Sequence, residues 1–184
     1  SVLCASNIAV LLPERDLPTP MVAFTIKDRQ LGGGIMITAS HNPPAYNGIK
    51  FIPQTGAPAL PEVTDAIEEN IRALTLKNVK KIELQDARKF GLIREFDPFH
   101  KYGEHVLSMV DASSIRSARL KLVHDALFGT SREYLPLLLR DAGCEVIEIH
   151  NNSDHTFGGG EPNPEEKFLD ELRQAVIQNS ADFG

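Results

Sequence analysis

A short apolar run, Ile35-Met36-Ile37-Thr38, ends abruptly in Ala39-Ser40-His41-Asn42-Pro43-Pro44. A run this short, rich in β-branched residues, suits a buried strand. The prolines behind it lack an amide hydrogen and fix φ at about −65°, so neither helix nor strand can continue through them. The chain is therefore committed here to a strand that carries a polar loop at its end. In an open α/β sheet such a loop faces the crevice where ligands bind, because neighbouring strand ends diverge there.

The rest of the chain alternates strand and helix signals, the pattern of an α/β layer architecture. Residues 8–12 read as a buried strand. Thr19 and Pro20 supply a cap and a first-turn proline for a helix through Arg29, with Gly32-Gly33-Gly34 as its terminator. Asn47-Gly48 marks a turn before a strand at 49–52. Val63, Ile67, Ile71 and Leu74 recur at helical spacing and predict a helix over 62–74 that closes a first unit. From Thr75 to Asp97 the pattern weakens to a linker or edge strands such as 92–96. A second unit then follows, with a helix at 98–110 and a strand at 120–124. A helix capped by Thr130 or Ser131 runs through Leu139 and ends at Gly143, and the next strand is 145–149. Asn163-Pro164-Glu165-Glu166 reads as a helix start, with carboxylates at the positive end of the dipole. The expected domains are 1–96 and 97–184, two consecutive α/β units of mixed sheets flanked by helices.

The formal charge of −6 excludes a nonspecific nucleic-acid binder, which needs a basic face to displace counterions. No apolar run is long enough to cross a bilayer. Cys4 and Cys144 lack the spacing of a disulfide framework or a zinc site, which suits a reducing cytoplasm. His124, His150 and His155 do not cluster at metal-ligand spacing and read as surface or core histidines. The turn at Gly129 and Thr130 lacks phosphate-loop spacing and reads as packing. Without a Met start, and with Ser180-Ala181-Asp182-Phe183-Gly184 opening a new segment, the sequence reads as an excerpt of a longer chain.

Chemistry concentrates between Gly32 and Lys50. Ser40 is a hydroxyl at the loop tip. His41 can donate to an oxygen, and the Asn42 amide can hold the loop's own backbone. Lys50 adds a compact positive charge, and a partly desolvated lysine can serve as a base. Ser, His and Asn are also ordinary turn residues, and that short run alone would signify only a turn.

The longer stretch T-A-S-H-N-P-P-x-Y-N-G-x-K resembles the phosphoserine loop of the α-D-phosphohexomutases, the phosphoglucomutase and phosphomannomutase family. Leu17-Pro18-Thr19-Pro20 resembles the family's first-domain L-x-T-P segment. The run from Val123 to Thr130, with Tyr134, Leu135 and Gly143, is similar to the opening of its second domain, and Glu161-Pro162-Asn163-Pro164-Glu165-Glu166 resembles a later helix start. The resemblance implies a fragment of a multidomain mutase that interconverts hexose 1-phosphate and hexose 6-phosphate through a phosphoserine and a bisphosphorylated sugar. It implies Ser40 as phosphoryl carrier, Lys50 as acid or base at the sugar hydroxyl, and His41 orienting or neutralising the phosphate. It also implies Mg2+ on an oxygen of the Ser40 phosphate, with hexose bisphosphate as activator and hexose phosphate as substrate. Glucose and mannose phosphates fit P-P-x-Y-N-G-x-K better than the glucosamine branch.

The family's aspartate-rich metal loop would follow Ala181-Asp182-Phe183-Gly184, so Asp182 is not expected to be a ligand. The remaining metal ligands would lie beyond residue 184, and the fragment alone is expected to be inactive. Two rivals stand beside this reading. Ser40 next to His41 suggests a serine hydrolase, but no G-x-S-x-G elbow is present, and adjacent residues seldom reach triad geometry. A noncatalytic sugar-phosphate or protein-binding module of the same fold is the other.

Overall fold

The computed structural model describes residues 1–184 as an α/β chain with three two-stranded sheets. Its elements are α1 (Val2–Ala5), β1 (Val10–Pro13), α2 (Thr19–Asp28), β2 (Gly33–Ile37), β3 (Ile49–Pro53), α3 (Pro61–Ala73), α4 (Leu84–Lys89) and β4 (Ile93–Phe96). They continue with α5 (Phe99–Ser108), α6 (Ala112–Ala118), β5 (Lys121–Asp125), α7 (Leu135–Asp141), β6 (Glu145–Ile149) and α8 (Asp170–Gln178). No helix is long and apolar enough to cross a membrane.

Two compact units divide the chain. One holds Ser1–Asp16, Ala23–Gly34 and Phe51–Pro98; the other holds Leu17–Val22, Ile35–Lys50 and Phe99–Gly184. In the first, β1 and β4 run parallel with Val10 opposite Ile93, and Cys4, Ala87 and Ile93 form its buried cluster. Arg15 pairs with Asp97 at 3.2 Å, and Arg29 lies over the Phe96 ring at 4.9 Å. The short helix α4 falls where a linker is expected from sequence; it supplies Ala87, which is fully buried.

In the second unit β5 and β6 run parallel, Lys121 opposite Glu145 through Asp125 opposite Ile149. Leu122, Cys144 and Val146 form one buried cluster there, with Ile115, Leu120 and Leu139 against it. Leu17, Met21 and Tyr134 form another. Phe183 bridges to Leu122 on the other side of β5. The Asp182 carboxylate accepts the Lys121 N–H at 2.8 Å, so this aspartate closes the sheet edge.

Several expected elements shift for identifiable reasons. The glycines at 32–34 do not end α2: Gln30 does, in left-handed backbone at φ 52, with Leu31 N–H donating to Ile26 C=O at 2.9 Å. Gly33 already belongs to β2. The strands expected as buried at 8–12 and 35–38 are part-exposed, because each pairs with a single neighbour; Ile37 is 63% exposed. The helix expected from Thr130 or Ser131 starts at Leu135, with Pro136 in its first turn, and the Ser131 hydroxyl instead meets His124 Nε2 at 3.3 Å. Asn163-Pro164 does not open an α-helix: Glu165 is still extended at ψ 152, a short 3-10 turn follows at Glu166–Phe168, and α8 starts at Asp170.

Candidate functional site

β2 and β3 pair, and the loop between them carries the residues singled out from sequence. Thr38 N–H donates to Gly48 C=O at 2.9 Å, which closes the loop at its base. Asn47 Oδ1 accepts the Gly48 N–H at 2.9 Å. A Cβ at position 48 would stand 3.2 Å from the Thr38 carbonyl oxygen, so glycine permits this close approach.

Ser40 sits at the tip in left-handed backbone, φ 58. This region is uncommon for a residue with a Cβ and signals a conformation held by its surroundings. Thr38 Oγ1 accepts the Ser40 N–H at 3.0 Å. Asn42 Nδ2 donates to Ala39 C=O at 2.7 Å, and Asn42 N–H reaches the same oxygen at 3.1 Å. The Asn42 amide thus holds the loop's backbone, as its chemistry suggests. Thr19 Oγ1 donates to Met36 Sδ at 3.2 Å, tying the start of α2 to β2.

Ser40 Oγ and His41 Nδ1 lie 3.3 Å apart. The imidazole meets the preceding hydroxyl through Nδ1, whereas a Ser-His-Asp triad engages the hydroxyl through Nε2, so the contact does not have triad geometry. The left-handed turn at Ser40 reorients its Cα–Cβ bond relative to the following residue. The His41 ring is hydrogen-bonded to Ser40 and to no carboxylate that would orient it as a triad requires. Lys50, in β3, is exposed and has no hydrogen bond to Ser40 or His41. Residues 40–50 are all exposed. The concavity of about 780 Å³ in the first unit is lined by Cys4, Lys80, Lys81 and Phe90 among others, and by none of the loop residues.

A divalent cation with oxygen preference takes six or more ligands. Ser40 would offer one oxygen through a phosphate, and no group of three His, Cys, Asp or Glu side chains in the chain is arranged for a metal. The residues present do not make a magnesium site by themselves.

The strand ends of the second unit hold a polar cluster with no clear sequence signature. Asp125 Oδ1 accepts the Leu127 N–H at 2.8 Å and lies 2.9 Å from His150 Nδ1. His150 Nε2 is 3.2 Å from Glu171 Oε2 of α8. The carbonyls of Phe128 and Gly129 are taken by the Arg132 guanidinium at 3.1 and 2.7 Å. The N–H groups of Phe128 and Gly129 are likewise spent, on the His150 and Ala126 carbonyls at 3.0 and 2.7 Å, so neither is free to hold an anion.

Residues 1–78 match the family model described as phosphoglucomutase/phosphomannomutase, alpha/beta/alpha domain I, and residues 100–184 match domain II of the same family. A Thermococcus kodakarensis phosphoglucomutase/phosphomannomutase is 33% identical over 91% of this chain and 35% of its own length. A Caldicellulosiruptor bescii phosphoglucosamine mutase is 34% identical over 90% of this chain and 35% of its own. The crystal structure of a putative phosphomannomutase from Thermus thermophilus superposes with a TM-score of 0.81 at 30% identity, covering 95% of this chain and 38% of that one. The chain thus spans about a third of the length of the curated relatives it matches.

Proposed function

The chain belongs to the phosphoglucomutase/phosphomannomutase family, and on that premise we propose that it carries the phosphoryl-transferring serine of a phosphohexomutase, with Ser40 as the carrier. The observation behind this reading is an exposed serine hydroxyl at the tip of a loop whose backbone is fixed around it. Phosphoryl transfer depends on in-line positioning and charge neutralisation more than on covalent machinery. A rigid, accessible hydroxyl meets the first requirement.

In the proposed cycle the P–O bond to Ser40 breaks as the phosphorus bonds the free hydroxyl oxygen of a hexose monophosphate. The hydroxyl proton passes to Lys50, and the Ser40 oxygen, leaving with the bonding electron pair, takes a proton from solvent at this exposed position to become the free hydroxyl. The bisphosphorylated sugar then turns over and returns its other phosphoryl group to Ser40, whose hydroxyl gives its proton to solvent, while Lys50 gives the proton back to the departing sugar oxygen. His41, 3.3 Å from Ser40 Oγ, orients the hydroxyl or neutralises its phosphate. Magnesium at the phosphoserine, with its other ligands from outside residues 1–184, belongs to the same reading. So do the assignment of 1–96 to the serine-bearing domain and 97–184 to the next, and a reducing cytoplasmic setting that suits two buried free thiols.

We favour glucose and mannose phosphates as substrates, on the P-P-A-Y-N-G-I-K stretch. Overall identity does not choose, since relatives named for different sugars match at 33% and 34%. Comparing turnover of glucose, mannose and glucosamine phosphates decides it, and a preference for glucosamine phosphate reverses the choice.

The central test is intact-mass and phosphopeptide analysis of the longest native polypeptide carrying these residues, before and after glucose 1,6-bisphosphate, with Ser40→Ala as control. Phosphate is expected on Ser40 alone. Phosphate on another residue, or normal mutase turnover by Ser40→Ala, removes the assignment.

A further inference from the structure

We propose that Thr38 is a positioning residue for the Ser40 nucleophile, fixing through its hydroxyl the direction in which the serine side chain leaves the backbone. The inference rests on the phosphoserine reading above and adds the residue that aims the hydroxyl.

The peptide unit between Ala39 and Ser40 is held at both ends by side chains. Its N–H donates to Thr38 Oγ1 at 3.0 Å, and its C=O accepts from Asn42 Nδ2 at 2.7 Å. With that plane fixed, the Ser40 Cα–Cβ direction is set by φ, which is 58. An L-residue with a Cβ leaves this conformation for a commoner one unless something holds it. Thr38 can act as the hold because it is itself anchored: its N–H donates to Gly48 C=O at 2.9 Å, at the base of the loop. A hydroxyl two residues ahead of a backbone N–H is the local geometry by which Ser and Thr stabilise turns. Here the N–H it captures belongs to the nucleophile.

The function of such a hold is kinetic. Phosphoryl transfer needs the attacking oxygen in line with the bond that breaks, and a misplacement of about 1 Å costs about 100-fold in rate. A serine free to relax from left-handed backbone would present its oxygen along a different line. Valine at position 38 keeps the branched shape of threonine but accepts no hydrogen bond; serine keeps the acceptor and loses only the methyl group.

The test compares wild type, Thr38→Val, Thr38→Ser and Asn42→Ala in the longest native polypeptide carrying these residues. It reads the rate of Ser40 phosphorylation from glucose 1,6-bisphosphate, together with mutase kcat and KM. Thr38→Val is expected to slow phosphorylation and kcat about 10- to 100-fold with KM little changed. Thr38→Ser is expected to restore both to within a few-fold of wild type. Asn42→Ala, at an exposed position, removes the shorter of the two bonds that hold the other end of the same peptide unit, leaving only the backbone N–H of residue 42 on it, and is expected to slow phosphorylation in the same direction. It keeps the inference falsifiable should Thr38→Val not fold. Normal phosphorylation by a folded Thr38→Val, or by Asn42→Ala, overturns the proposal. Thr38→Ser as impaired as Thr38→Val also overturns it, since the methyl group would then be what matters. Failure of the underlying reading looks different: wild type itself would carry no phosphate on Ser40.

Discussion

His150 Nδ1 lies 2.9 Å from Asp125 Oδ1, joining the end of β6 to the end of β5. The Asp125 side chain is only 3% exposed, and the same oxygen also holds the Leu127 N–H. Leu127 and Phe128 both adopt left-handed backbone just after it, and the Phe128 ring packs 4.8 Å from the His150 ring. One carboxylate thus organises two strand-end loops.

Removing that carboxylate leaves the part-buried Leu127 N–H and the His150 Nδ1 unmet. Asp125→Ala is expected to lower stability by about 2–3 kcal/mol, whereas Glu171→Gln, at the far side of the same imidazole and 75% exposed, costs under about 1 kcal/mol. Urea unfolding of the two variants checks this, and equal midpoints would contradict it.

Burial pushes the His124 imidazole below its ordinary pKa, while Glu148 and Asp125 pull it back up in part. The folded protein therefore keeps this ring neutral at a pH where the unfolded chain takes a proton. Stability should decline as pH falls below about 6.5, the unfolded value, and stop declining below the folded one. His124→Gln should flatten that part of the profile relative to wild type in unfolding measured between pH 8 and pH 5. Parallel profiles would count against the linkage.

Gly143 follows α7 at φ 99, and a Cβ there would stand 3.1 Å from the Arg116 Cα and 2.9 Å from its Cγ. Both the backbone conformation and the contact oppose a side chain. Gly143→Ala should cost about 1–3 kcal/mol, read as a lowered unfolding midpoint. An unchanged midpoint would mean that α6 yields without strain.

Lys50 is exposed on β3, so replacing it should hardly disturb folding. In the longest native polypeptide carrying these residues, Lys50→Met should lower turnover by about 100-fold or more if it handles the sugar proton. Turnover within a few-fold of wild type, at unchanged thermal stability, would exclude the role.

Helices with long apolar periodicity and strands with dense aliphatic runs were legible in the sequence: α3, β5 and β6 fall within a residue or two of their expected bounds. The short helix α6 escaped because Ser113, Ser114 and Ser117 dilute its pattern. Its signal was the Asp111 cap, whose carboxylate accepts from Ser113 Oγ, Ser114 Oγ and Ser114 N–H and is held well below the usual carboxylate range by those bonds. At Asn163-Pro164 the Asn163 side chain donates to Glu165 Oε1 at 2.6 Å, and the extended Glu165 leads into a short 3-10 turn before α8 begins. In the candidate site, Ser40, His41 and the Asn42 clamp were readable from residue type. Thr38 read only as a strand end, because which neighbouring N–H its hydroxyl captures depends on backbone torsions that one sequence does not specify.

Cys4 and Cys144 are both free and buried, at 3% and 7% exposure, and one lies in each compact unit. Each thiol can meet an alkylating reagent only when its own surroundings open. Timed labelling followed by peptide mapping would report the breathing of the two units separately, from one native sample and without an added probe.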